Sequence, residues 1–157
     1  MTSHTNPERR KVLFLCTGNS CRSQMAESVV NSRLSQEWQA FSAGTHPTGY
    51  IHPTALQVLA EIGIRHRGRS KDVSEYHGMS FDLIITVCDS AAEECPVWLG
   101  SGRRLHLSFP DPAKQTGSDE QVIAAFRQVR DDIATRVLAL MADINKNNGP
   151  QFDDRAN

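Results

Sequence analysis

The stretch Cys16-Thr17-Gly18-Asn19-Ser20-Cys21-Arg22-Ser23 concentrates more chemistry than any other part of this sequence. A thiol stands at its head, a guanidinium six residues on, and small or polar residues fill the space between. If this stretch joins a strand to a helix, successive backbone N–H groups can curl into a nest around a tetrahedral anion, with the helix N-terminus behind it. The expected oxyanion contacts are Thr17, Gly18, Asn19, Ser20, Cys21 and Arg22. Gly18 is expected to supply a backbone conformation that a side chain would hinder. Arg22 offers a planar fork of donors that matches two oxyanion oxygens. Asn19 is expected to pin the loop through its side-chain amide. The sulfur of Cys16 would then face the central atom of the anion. A free cysteine titrates near 8.5, which leaves roughly 3% thiolate at neutral pH, and helix N-termini beside arginine lower that value by about two units or more. The loop is therefore a place to make a nucleophile, and Ser23 can donate a hydrogen bond to it.

Three further residues have the right types to act with that loop. Asp111 lies between Pro110 and Pro112, and a stiffened carboxyl group can protonate a departing oxygen if it comes within hydrogen-bond reach. Cys88 and Cys95, in VCDSAAEECP, bring the cysteine count to four. A static disulfide framework does not suit a reducing compartment. A structural zinc site normally shows cysteines two to four residues apart, and neither pair has that spacing. Catalytic or redox cysteines remain. The segment Asp89 to Glu94 has helix character, which would separate Cys88 and Cys95 by about 10.5 Å along the axis at about 1.5 Å per residue. A disulfide needs Cα atoms within about 7 Å, so any bond between the two would require such a helix to unwind. Cys21 can either pair with Cys16 as oxidative protection or simply pack at the helix start. His4, His46, His52, His66, His77 and His106 show no metal-ligand spacing.

The elements that must position these residues follow from periodicity. Val12 to Leu15 is a short apolar run of the kind that fills a parallel strand buried on both faces. A helix is expected from Ser23 to Leu34, a strand over Ala40 to Ala43, and a helix from Thr54 to Ile62 with Pro53 at its start and Gly63 as its stop. Leu83 to Val87 and Arg104 to Leu107 read as strands. Asp119 to about Asn145 reads as a long amphipathic helix whose apolar stripe packs on the sheet. Alternating strands and helices predict an α/β domain, with a small parallel sheet of about four strands and helices on both faces. Ligands bind at the carboxyl ends of such strands. Cys16, Cys88 and Asp111 each follow a strand and should meet on one rim.

Bulk properties bound the rest. The chain has 157 residues, enough for one core, and a net charge of -1, so no basic field recruits nucleic acid or anionic lipid. No apolar run approaches a membrane span, and the stretch after the basic Arg9-Arg10-Lys11 cluster is too short for a signal core. A cytoplasmic protein is expected. The organisation reads as a flexible N-terminus over residues 1–10, one domain over 11–145, and a polar, disordered tail over 146–157.

Cys-x5-Arg followed by Ser at the first strand-to-helix turn resembles the low-molecular-weight protein tyrosine phosphatase fold. The wording CTGNSCRSQMAE resembles the branch of that superfamily containing thioredoxin-coupled arsenate reductases. The resemblance spans Lys11 to Ile144. It implies that Asp111 is the general acid, which this fold carries in an Asp-Pro setting. It further implies that Cys88 and Cys95 relay a disulfide from Cys16 towards thioredoxin, with glutaredoxin and glutathione as the alternative donor. No organic cofactor is implied. A potassium ion at Asn19, Glu27, Ser42 and Asp72 is implied by some members. Phosphatases of the fold carry an aromatic residue after Asp-Pro, and Ala113 here counts against an aryl phosphate substrate. Three readings follow: an arsenate reductase using Cys16, Arg22, Ser23, Asp111, Cys88 and Cys95; a tyrosine phosphatase; or a non-catalytic oxyanion-binding or redox-sensing module.

Overall fold

A computed structural model describes residues 8–89, 97, 98 and 100–146 of the chain. Its elements alternate as the periodicity predicts. They are β1 (Arg10–Cys16), α1 (Arg22–Arg33), β2 (Trp38–Gly44), α2 (Pro53–Glu61), β3 (Leu83–Thr86), β4 (Arg103–His106) and α3 (Asp119–Lys146). Two short 3-10 turns, Val73–Tyr76 and Pro112–Lys114, fall below the length at which periodicity is readable. The first strand begins at Arg10, whose guanidinium donates to Asn145 Oδ1 at 2.5 Å and stacks 4.4 Å from the Trp38 ring. Arg10 and Lys146 thus belong to β1 and α3, while residues 1–7 and 147–157 of the two ends, and residues 90–94 of the helix read over Asp89 to Glu94, lie outside the described residues.

The four strands form one parallel sheet in the order β2-β1-β3-β4. A crossover between parallel strands needs a covering element, and the chain places these unevenly. All three α-helices bury apolar residues against the face carrying Val12 and Phe14, including Met25, Val29, Val58, Phe126, Ile133, Val137 and Met141. The stripe on α3 thus packs on the sheet. Among the described residues, the opposite face carries Leu13 and Leu15 and is covered by the segment around the Val73–Tyr76 turn together with Trp98. There Phe41, Tyr76, Phe81 and Trp98 meet edge-on at 5.5–5.8 Å, the geometry aromatic quadrupoles favour. No helix among the described residues is long and apolar enough to cross a membrane.

Two devices lock α2 to α3. Glu61 at the end of α2 accepts from Arg127 at 2.6 Å and from Arg130 at 2.8 Å, and Arg130 also donates to the Val58 carbonyl at 3.0 Å. At the other end His52 accepts from Thr54 N at 3.1 Å, capping α2, while its ring lies 4.7 Å from that of Phe126. Phe126 is fully buried. Phe126→Ala is expected to lower unfolding free energy by about 3–5 kcal/mol, read as a reduced urea midpoint with an unchanged m-value.

Candidate active site

The nest is built by turning the loop's carbonyls outward. Thr17 O accepts from His46 N at 2.9 Å, Gly18 O from Thr48 N at 3.0 Å and Ser70 Oγ at 3.1 Å, and Ser20 O from His52 N at 3.1 Å. Asn19 O accepts from Gln24 Nε2 at 3.2 Å. In a trans peptide the following N–H points opposite to the carbonyl, and no peptide here is cis. The amides of Gly18, Asn19, Ser20 and Cys21 therefore point to the inner side of the loop. The first turn of α1 adds its own amides from below, and that helix starts with no side-chain cap and no acidic residue. Such an arrangement suits an anion.

Asn19, not Gly18, takes the left-handed backbone, at φ +48°. Gly18 does not lie in that region, and a Cβ on it would meet Thr48 Cγ2 at 3.2 Å. Asparagine tolerates this conformation when its side chain is hydrogen-bonded locally. Here the Asn19 amide makes three such bonds: Nδ2 donates to Ser23 Oγ at 2.8 Å, and Oδ1 accepts from Gln24 Nε2 and from Lys71 N, both at 2.9 Å. Its backbone N–H points at Cys16 Sγ from 3.3 Å. Ser23 Oγ lies 2.8 Å from the same sulfur. Once Cys16 is ionised, the serine hydroxyl can only donate to it.

The rim rule holds. Cys16 ends β1, and Cys88 follows β3, the strand paired beside it with Leu15 opposite Thr86. Both cysteines are buried in the same core cluster. Asp111 comes from the loop after β4, and its Oδ2 lies 3.6 Å from Arg22 Nη2. Arg22 is also held by the Phe109 carbonyl at 3.2 Å, so one guanidinium joins the loop to the Asp-Pro segment. Asp111 Oδ1 accepts from Ala113 N at 3.0 Å, capping the 3-10 turn. Cys88 is disulfide-bonded, whereas Cys16 and Cys21 are free thiols. Cys95 lies outside the described residues. Burial, with Asp111 nearby, pushes the Cys21 thiol up to about 12, so it stays protonated and packs at the start of α1.

Of the residues read as potassium ligands, Glu27 and Ser42 meet, with an ammonium beside them, while Asp72 is engaged elsewhere. The Asp72 carboxylate accepts from Ser74 N at 2.8 Å and caps the Val73–Tyr76 turn. Ser42 Oγ donates to Glu27 Oε1 at 2.5 Å, Asn19 Oδ1 is occupied by two donors, and an ammonium, Lys71 Nζ, lies 3.9 Å from Glu27. Among the described residues, no cluster of histidine, cysteine or carboxylate groups could hold a metal ion. The described histidines serve packing and capping roles, as with His52, or join networks.

Three site residues were missed by reading the sequence. Gln24, in the first turn of α1, is the first. Its Nε2 also donates to Arg69 O at 2.9 Å, and its Oε1 lies 2.7 Å from His66 Nε2. His66 must therefore carry its proton on Nε2. Burial holds this ring down at about 4 rather than its ordinary 6.5. Gly44 is the second. A Cβ there would lie 2.4 Å from Thr17 O and 3.0 Å from Asn19 N, so the end of β2 must be glycine for the loop to pack. Lys71 is the third. None leaves a local signal, because each acts through residues distant in sequence.

The comparisons agree with this geometry. Residues 11–149 match the family described as low molecular weight phosphotyrosine protein phosphatase. The arsenate reductase of Halalkalibacterium halodurans is 42% identical over 130 residues, covering 82% of this chain and 93% of that one. The crystal structure of an arsenate reductase from Archaeoglobus fulgidus superposes with a TM-score of 0.70 at 30% identity, covering 83% and 98% of the two chains. A low molecular weight phosphotyrosine phosphatase from Vibrio cholerae O395 superposes with a TM-score of 0.68 at 25% identity, covering 88% and 98%.

Two outcomes test the geometry. Gly44→Ala is expected to abolish Cys16 reactivity towards iodoacetamide, because the backbone atoms it strikes have nowhere to go. The depressed His66 makes the unfolded chain take up a proton first, so stability falls as pH drops from about 6.5 towards 4. Urea midpoints at pH 7 and pH 5 should differ less in His66→Gln than in the wild type. With the loop, the rim and these likenesses in one place, the chain belongs to the low molecular weight phosphotyrosine protein phosphatase family, among its arsenate reductases.

Proposed function

We propose that this protein reduces arsenate to arsenite, with Cys16 as nucleophile and Cys88 and Cys95 as a disulfide relay regenerated by thioredoxin. The observation that carries the reading is Cys88: buried just after β3, the strand paired beside the one that ends at Cys16, and engaged in a disulfide while Cys16 remains a thiol. Hydrolysis of a phosphocysteine needs no second thiol, whereas reducing As(V) to As(III) needs two electrons. The arsenate reductase relatives support the choice of oxyanion.

In this scheme arsenate sits in the nest, its oxygens on the inward amides and the Arg22 fork. The Cys16 thiolate attacks arsenic, a sulfur–arsenic bond forms, and Asp111 protonates the oxygen that leaves as water. The Cys88 thiolate then attacks Cys16 sulfur. The sulfur–arsenic bond breaks, its electron pair stays on arsenic, and arsenite departs from a Cys16–Cys88 disulfide. Cys95 attacks Cys88 and returns Cys16 to the thiolate, steadied by Ser23 and Asn19. Cys88 is fully buried, so a bulky reductant has no access to that sulfur in this conformation. A second cysteine is needed to receive it. Thioredoxin supplies the final two electrons from its own dithiol.

Arsenate-dependent oxidation of thioredoxin, measured beside aryl phosphate hydrolysis, tests the reading. Cys88→Ser is expected to stop multiple turnover of arsenate while leaving aryl phosphate hydrolysis largely intact. Cys95→Ser should accumulate the Cys16–Cys88 disulfide, two hydrogens lighter by mass spectrometry. Asp111→Asn should slow turnover by about 10²–10⁴-fold, the usual worth of a positioned acid. Replacing thioredoxin by glutaredoxin and glutathione identifies the donor. Full aryl phosphatase activity without any arsenate-dependent thiol oxidation would make the protein a hydrolase and sink the proposal.

A further inference from the structure

Lys71 is an unusual lysine. It is 7% exposed, and a buried ammonium is rare unless partners surround it. Its Nζ donates to Arg69 O at 2.9 Å and to Ser42 Oγ at 3.5 Å, and lies 3.9 Å from Glu27 Oε1. Those three oxygens come from the segment before the Val73–Tyr76 turn, from β2 and from α1. The backbone of the same residue carries the rest of the structure there. Lys71 N donates to Asn19 Oδ1 and Lys71 O accepts from Gly44 N, both at 2.9 Å. The lysine thus touches the residue that aims an amide at Cys16 and the glycine against which the loop packs.

We propose that Lys71 is a built-in cation and a positioning residue for the Cys16 loop, its ammonium filling the oxygen-lined gap between Glu27, Ser42 and Arg69 O that a free monovalent cation would otherwise fill. The chemistry of the donor set favours this. Glu27 is buried, and an unpaired carboxylate there would be costly; burial raises its proton affinity, and the Ser42 hydroxyl and Lys71 counter that effect. A tethered ammonium offers the carboxylate a charge without the loss of freedom that capturing an ion entails. It also places positive charge behind the nest; burial lowers the proton affinity of Lys71, and the Glu27 carboxylate opposes that loss. The inference does not rest on which oxyanion the protein processes, because it concerns how the loop is held.

The test uses the whole chain and needs no turnover. Melting temperature and the rate of Cys16 alkylation by iodoacetamide are measured in KCl and in choline chloride at equal ionic strength. The wild type should be indifferent to the choice of salt. Lys71→Ala should melt about 10 °C lower in choline chloride, as expected for breaking a buried pair in a domain of this size. Potassium should restore part of that loss and part of the alkylation rate, rising with its concentration as ligand linkage requires. Lys71→Met fills the gap with an uncharged stem, so it should be slow in both salts and not rescued. A wild type that melts higher in KCl than in choline chloride would overturn the proposal, even if the alanine variant proved too unstable to purify. So would a Lys71→Met protein that matches the wild type in both readouts. Arsenate turnover is not among the readouts, so failure here leaves the reductase reading standing, and failure of that reading leaves this one.

Discussion

Everything at this site depends on which way a handful of peptide groups face. A loop that presents several N–H groups to one point would, left alone, be pulled apart by the repulsion of aligned dipoles and by the hydration of its carbonyls. The chain prevents this by giving the carbonyls partners elsewhere. His46, Thr48, His52 and Ser70 supply donors from outside the loop, and Gln24 supplies one from the first turn of α1. Once the carbonyls are held outward, planarity turns the amides in. Substrate binding then requires little reorganisation, which is where electrostatic catalysis gains most.

Asn19 is the point at which this constraint meets the nucleophile. Its backbone is left-handed, its side chain is held by Ser23, Gln24 and Lys71, and its N–H faces the sulfur. Moving any of those partners would rotate the amide aimed at Cys16. Gln24 in turn is held by a histidine that burial keeps neutral. The chain of contacts runs from a half-buried ring on one segment to the reactive atom on another, entirely through uncharged hydrogen bonds. Such a network of directional bonds specifies the loop more sharply than hydrophobic packing alone.

Much of the fold was legible in the sequence because its signals are local and periodic. The apolar runs at Val12 and Leu83 read as central strands, the stripe on α3 as a sheet-packing face, and Gly63 as the stop of α2, where it takes φ +80°. The loop from Cys16 to Ser23 was legible for the same reason, as was the convergence of Asp111 on Arg22, since strand ends share a rim. What was hidden depends on contacts between distant segments. Gly44 reads as a strand terminator, and its role as the floor under Thr17 exists only once β2 lies beside β1. Gly18 drew attention as a glycine, although the positive φ belongs to Asn19, whose tolerance for it comes from hydrogen bonds no spacing reveals. Lys71 and Asp72 show the same limit. Adjacent in sequence, one turns into the interior between Glu27 and Ser42 while the other caps a turn, so of the ion ligands suggested by resemblance Asp72 is drawn away. The cover of the second sheet face was unreadable as well, because a 3-10 turn and four scattered aromatics have no period.

The strand order has a consequence for how the molecule opens. Cys16 ends β1, which is paired on both edges, by β2 and β3, and lies under the main cluster of buried side chains. Asp111 follows β4, a four-residue edge strand with alternating partial exposure. Native-state fluctuations free edge elements at lower cost than central ones. Hydrogen exchange should therefore divide the reacting groups into two classes: amides around the thiol released only by global unfolding, and amides around the carboxyl released by a smaller, separate event. Under the proposed scheme, attack would come from a layer that stays closed and proton transfer from a part that can open separately from it.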